Sequence, residues 1–267
     1  TLLTEETVQA RCARAWFVIS VLSVGAVLLA GENVCWRDVH MTFWLGTLPQ
    51  VALLVAMLAL ASAFLFAVRI RLVTHFRSVG RDTSGIRGRL GRHGMCEFSL
   101  CNVVVTVLML GLLGLAAIAV GRLTITRGAS VMDSLVSDCL RKDSASAAIN
   151  SVHGELRAFH AECLKTTQRR TPVHRCPGFK RTFHDPSPYV DYLALMEFSW
   201  HCSGFCTKSR ALFVYQANVT RARAPQPCAH FVAHQVRRGS LLVGVPAVAI
   251  GAIVLIGALL LSCYDHL

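Results

Sequence analysis

The chain has 267 residues, 54% apolar and only 16% charged, yet 27 Lys and Arg against 15 Asp and Glu leave a formal net charge of +12. A soluble globular protein carries roughly 25% charged residues, and a disordered chain is far less apolar. Both classes are excluded, the eleven cysteines are too sparse for a small disulfide scaffold, and what remains is an integral membrane protein with its charges between apolar stretches.

In chain order, residues 1–14 form a short N-terminal segment with Arg11 and Arg14. Residues 15–31 form a first apolar stretch, read as a retained signal anchor; the alternative is a secretory signal peptide ending near Ala30. A small loop, 32–42, holds Cys35 and sets Arg37 against Glu32 and Asp38. Further spans are expected at 43–68, 98–121 and 241–261, and none of the four contains Asp, Glu, Lys or Arg. Each approaches or exceeds the roughly 20 residues needed to cross the hydrocarbon core. Between the second and third, residues 69–97 carry Arg69, Arg71, Arg77, Arg81, Arg87, Arg89 and Arg92. Basic residues in short segments stay cytosolic. That rule places both termini, including 262–267, and the arginine-rich loop in the cytosol, where the loop sets orientation and attracts anionic lipid. Residues 32–42 and 122–240 then lie outside or in a lumen. The expected fold is an all-α integral membrane protein with four transmembrane helices and a large, disulfide-bonded, mainly helical ectodomain between helices three and four.

That ectodomain carries 17 basic and 8 acidic residues, a net +9. Val131, Met132, Leu135, Val136, Cys139 and Leu140 recur at helical spacing, as do Ile149, Val152, Leu156, Phe159 and Cys163. The second helix is expected to start at Asp143 or Ser144. From Thr171 onwards Pro172, Pro177, Pro186 and Pro188 punctuate a basic loop, a short helix or turn follows at 189–200, and 229–238 is helical again into the last span. Six cysteines, Cys139, Cys163, Cys176, Cys202, Cys206 and Cys228, are disulfide candidates, with all fifteen connectivities open. The competing arrangement is zinc held by Cys202, Cys206, Cys228, His230 and His234; disulfides are favoured, so no metal and no cofactor is expected. Cys12, Cys96 and Cys263 flank the spans as candidate palmitoylation sites, or else serve as small buried hydrophobes. Asn218-Val219-Thr220 is an N-glycosylation sequon on the expected lumenal side. Of the histidines, His153, His160, His174, His184, His201, His230 and His234 lie in the ectodomain, where titration near pH 6 would raise its charge.

The most specific local signal is Cys202-Ser203-Gly204-Phe205-Cys206, where Gly204 permits a sharp reversal that sends two cysteines to different bridges. With four spans, a small first loop and a large cysteine-bearing loop between spans three and four, the chain resembles the tetraspanin family. The pentapeptide is similar to a diverged Cys-Cys-Gly motif, and Cys228 to the family's final cysteine before the fourth span. The resemblance implies helical extensions of spans three and four and a variable head held by disulfides around the motif. It also implies a non-enzymatic scaffold that organises other integral membrane proteins. Adjacent cysteines are missing, so no pairing carries over, and the arginine-rich loop is longer than the family's. Small residues four apart, Ala26 and Ala30, Ala59 and Ala63, Ala117 and Gly121, Ala247 and Gly251, mark where helices can approach, within the chain or with a partner. A basic recognition surface is expected around residues 180–191 and the Cys202–Cys206 turn. The alternatives are an accessory subunit of one permanent membrane complex and, more remotely, a thiol oxidoreductase, for which Cys202 and Cys206 are one residue too far apart. The positive charge divides between two sides of a membrane and gives no case for nucleic acid.

Overall fold

A computed structural model describes Gly25 and residues 38–81, 92–144, 146–167, 171–183, 188–213 and 226–264. The described residues are mainly helical, with no strand among them. The helices are α1 (Val39–Leu45), α2 (Leu48–Arg81), α3 (Arg92–Val136), α4 (Ala147–Thr167), α5 (Phe179–Thr182), α6 (Pro188–Trp200) and α7 (Cys228–Tyr264), with a 3-10 turn at Val173–Arg175. The chain divides into two compact units, one of residues 1–127 with 239–267 and one of Gly128–Arg238.

Three described helices are long and apolar enough to cross a membrane, with qualifying stretches Leu48–Leu65, Val104–Val136 and Cys228–Leu259. The first expected span, 15–31, lies outside the described residues apart from Gly25. The second is not one uninterrupted helix from residue 43. Asp38 caps α1 by accepting from the His40 and Met41 amides, α1 ends at Leu45, and the chain turns at Gly46-Thr47. Pro49 then falls in the first turn of α2, where its missing N–H costs no helical hydrogen bond. The arginine-rich segment also differs from an irregular loop. α2 runs on through Arg69, Arg71, Arg77 and Arg81, and α3 already begins at Arg92. Arginine is a good helix former, and polar solvation does not end a helix that lacks a breaker. Arg87 and Arg89 lie outside the described residues.

In the first unit, α1, α2, α3 and α7 share one apolar core. Met41, Ala52, Leu53, Ala56, Ala59, Leu110, Val243, Ala247, Ile250, Val254 and Ala258 are buried in it. On α2 the buried set falls four and three residues apart, and on α7 Val243, Ala247, Ile250, Val254 and Ala258 do the same, so each helix turns one stripe inward. Leucines on other faces, among them Leu54, Leu65, Leu112 and Leu259, are exposed, as side chains bathed in lipid are.

Glycine sets the closeness of α3 and α7. A Cβ on Gly114 would stand 2.9 Å from the Gly251 carbonyl oxygen, and one on Gly251 would stand 2.5 Å from that of Gly114. One heptad along, Gly121 and Gly244 repeat the relation at 2.9 and 2.8 Å. The obstruction is backbone, which cannot rotate away, so no larger residue fits without moving a helix. At Gly239 the same absence of a side chain admits Met41, whose Cγ would lie 3.0 Å from an added Cβ. The small residues Ala59, Ala117, Gly121, Ala247 and Gly251 are therefore buried within this chain and do not offer an outward face. Ala26 and Ala30 lie outside the described residues.

Gly251→Leu is expected to destabilise the chain by about 1–3 kcal/mol or more through overpacking. Gly257→Ala, whose added Cβ would meet nothing within 4 Å, should be neutral or gain up to about 1 kcal/mol from helix propensity. Thermal unfolding in detergent followed by circular dichroism separates the two.

Candidate functional site

Residues Gly128–Arg238 combine the end of α3, the start of α7 and all of α4, α5 and α6. α3 stops at Val136, earlier than the apolar spacing suggests. Leu135 and Cys139 are buried, but Val136 and Leu140 are exposed, because the chain turns over residues 137–144 instead of continuing the helical stripe. The Ser146 hydroxyl closes this turn by donating to the Cys139 carbonyl at 3.1 Å. α4 then begins at Ala147, three residues after Ser144, with Ile149, Leu156 and Cys163 buried and Val152 and Phe159 half-buried.

The six cysteines of this unit pair as Cys139–Cys206, Cys163–Cys176 and Cys202–Cys228. Two of the three bridges begin in the Cys202–Cys206 segment. Gly204 makes this possible: its φ is +75°, and an added Cβ would collide with the Thr207 carbonyl and the Ser209 amide. The segment also caps α7. Gly204 and Phe205 carbonyls accept from the Cys228 and Ala229 amides at 3.0 and 3.2 Å, satisfying donors that a helix start leaves without partners. With Cys202, Cys206 and Cys228 all in disulfides, the zinc arrangement loses three of its five ligands; among the described residues no cluster of three or more metal-ligating side chains occurs.

The expected role of this turn as a presented surface is not met. Cys202, Ser203, Gly204 and Phe205 are buried, Phe205 completely, and only Cys206 is partly open. The turn is a structural hub, because helix capping and two bridges draw it inward. Ser203 shows how tightly it is enclosed: its hydroxyl is buried with no hydrogen-bond partner among the described residues, a state that costs about 1–3 kcal/mol.

A second anchor was not evident from the sequence. Glu197, in the apolar helix α6, is only 4% exposed. One carboxylate oxygen accepts from the Leu212 amide at 3.0 Å, and the other accepts from Leu212 at 2.9 Å and Phe213 at 2.8 Å. Leu212 passes its own carbonyl to the Val173 amide at 2.7 Å. An acid set between Met196 and Phe198 in the apolar second half of the run Tyr189–Trp200 was the available signal. The carboxylate thus ties α6, the segment after the turn and the 3-10 turn into one piece.

Around this frame, Arg175, Lys180 and Arg181 are exposed, as are His174, His201, His230 and His234. Trp200 stacks on Phe231 with ring centroids 6.2 Å apart. Together with His230, His234 and Gln235 they line an open groove of about 300 Å³. His160 pairs through Nε2 with the Thr171 carbonyl at 2.6 Å. Asn218, Cys12 and His184 lie outside the described residues; Cys96 and Cys263 lie on α3 and α7. No family model, curated protein or solved structure matches this chain.

Among the described residues of the unit, His153 is the buried imidazole, 6% exposed, with Nε2 3.5 Å from the Ser209 hydroxyl. Burial lowers its pKa below the ordinary imidazole value, and the Arg157 charge one turn on adds to the effect. Folding therefore favours the neutral ring. The associated stability is complete above about pH 6.5, the unfolded value, and is lost as pH falls through the lower folded value. The unfolding midpoint should fall between pH 7 and pH 5 and fall less in His153→Gln; equal slopes in the two proteins would remove His153 from the account.

Proposed function

We propose that this protein is a non-enzymatic, tetraspanin-like membrane scaffold, with four spans, cytosolic termini and residues 122–240 as its extracellular or lumenal domain. The observation that carries the reading is the Gly204 turn, from which two of three disulfides depart, one to Cys228 at the head of α7 and one to Cys139. A small domain stapled in this manner suits an oxidising compartment. It also suits the resemblance, in which disulfides gather around a cysteine-glycine motif before the last span.

The packing refines how such a scaffold would meet its partners. Its small residues serve the contact between α3 and α7, so lateral association with other integral membrane proteins would run over exposed leucine and isoleucine side chains, such as Leu108, Leu112, Ile253 and Ile256. Contacts of that kind lack the close backbone approach that holds helices permanently in lipid, which favours exchangeable partners over a fixed complex. The arginines from Arg69 to Arg92 would hold the cytosolic face to anionic lipid at up to about 1 kcal/mol each. Palmitoylation of Cys12, Cys96 and Cys263 and glycosylation of Asn218 belong to the same reading. Against thiol redox turnover, Cys202 and Cys206 are bonded to Cys228 and Cys139 and not to each other.

Affinity purification from native membranes in a mild detergent should recover several membrane proteins at variable ratios, most of them lost in a stringent detergent. Recovery of a single complex at fixed stoichiometry in both detergents would replace the scaffold with a permanent accessory subunit.

A further inference from the structure

The stretch from Thr171 to Phe183 contains Arg175, Lys180 and Arg181 and no acid in thirteen residues. A basic, proline-punctuated segment of this kind ordinarily keeps its conformational freedom. Here it is fastened at several points. Cys176 is bonded to Cys163 of α4, and the Val173 amide donates to Leu212 at 2.7 Å. Phe179 and Phe183, four residues apart on and after α5, set their rings 6.2 and 5.4 Å from that of Phe159 and 5.3 Å from each other. The positions between these anchors are the exposed ones: Arg175 precedes Cys176, and Lys180 and Arg181 lie between the two phenylalanines.

Fastening the backbone fixes where the three cations stand, and none of them is neutralised by an ion pair among the described residues. On α4, Glu162, next in sequence to the bridged Cys163, is engaged by Lys165 at 2.8 Å. Around the segment, residues 128–238 hold 15 basic against 8 acidic residues, a net +7. Such a field raises the local concentration of anions.

We propose that this anchored cationic segment is a binding surface for a sulfated glycan chain. Sulfate groups along a glycan are permanent anions at regular intervals, and their oxygens match the guanidinium and ammonium donors. Binding releases counterions, and the pinned backbone lowers the ordering cost that a free loop would incur. The choice of a glycan over a phospholipid surface rests on the reading that residues 122–240 face away from the cytosol, because the anionic leaflet is the cytosolic one.

The test uses the full chain in mild detergent, titrated with heparin at several salt concentrations, alongside Lys180→Ser/Arg181→Ser and the equal-charge control Arg141→Ser/Lys142→Ser, both of whose residues are exposed. The first variant should bind about tenfold more weakly near physiological salt, with the slope of log affinity against log salt reduced by about two; the control should stay within about twofold. Mapping the Cys163–Cys176 bridge in each variant confirms that the fold persists. Equal weakening of both variants would reduce the surface to bulk charge. Undiminished binding to desulfated heparin, or binding to phosphatidylserine vesicles without heparin binding, would also overturn the proposal. The purified chain exposes both faces, so failure here counts against the glycan surface alone. Cleavage of residues 171–183 by a protease confined to the cytosolic side of intact membranes counts against the topology instead.

Discussion

The first unit depends on backbone-to-backbone contact between α3 and α7. In water, apolar helices are driven together by leaving solvent; in lipid that force is absent, and helices associate through van der Waals contact and short polar interactions. Dispersion falls steeply with distance, so packing in lipid rewards the closest possible approach. Gly114 against Gly251 and Gly121 against Gly244 provide that approach twice, one heptad apart on both helices. Ala117 and Ala247 fill the same seam and are fully buried. Leucines and isoleucines outside the seam, such as Leu112 and Ile253, are left exposed.

The unit Gly128–Arg238 is held by other means. Its bridges close segments of 67, 13 and 26 residues, and chain entropy alone assigns each a stabilisation of about 3–4.5 kcal/mol, with strain and unfolded-state structure reducing it. The Glu197 carboxylate contributes differently, by satisfying buried amides that would otherwise lack acceptors. Two of the three bridges and the carboxylate converge on the segment from Cys202 to Phe213. This convergence explains why the turn is buried while the chain around it supplies the exposed charge. The turn holds the unit together, and the Phe-anchored basic stretch tied to Leu212 is open to solvent at Arg175, Lys180 and Arg181.

Much of the helical plan was legible because it rests on local pattern. Long uncharged runs located the apolar helices, the short helix or turn expected at 189–200 falls within one residue of α6, and the apolar spacing of Ile149, Leu156 and Cys163 marked the inward face of α4. The break at Gly46-Thr47 was hidden because a two-residue turn leaves the hydropathy of its surroundings unchanged. The helical state of Arg69 to Arg81 was obscured for a related reason: charge patterning reports which side of a membrane a segment occupies, and says little about its backbone. The pairing of the cysteines, the burial of Cys202 to Phe205 and the reach of Glu197 to Leu212 depend on contacts between residues distant in sequence, which spacing alone does not specify. Small residues four apart showed where helices can meet but not with whom; the choice of α7 for α3 follows from the glycine register on both helices.

That internal choice can be measured directly. A Cβ at Gly121 would lie 3.1 Å from that of Ala247 and 2.9 Å from the Gly244 carbonyl oxygen, so a cysteine there parts the helices by a few tenths of an ångström, which carries the two Cβ atoms toward the range of about 3.5–4.5 Å found in disulfides. With Cys12, Cys35, Cys96, Cys101 and Cys263 replaced by serine, the pair Gly121→Cys and Ala247→Cys should oxidise in native membranes to a bridge within one chain, found by mass spectrometry of the monomer. Bridges formed between two chains, with none within one, would show that this glycine seam joins separate molecules and would contradict the packing described here.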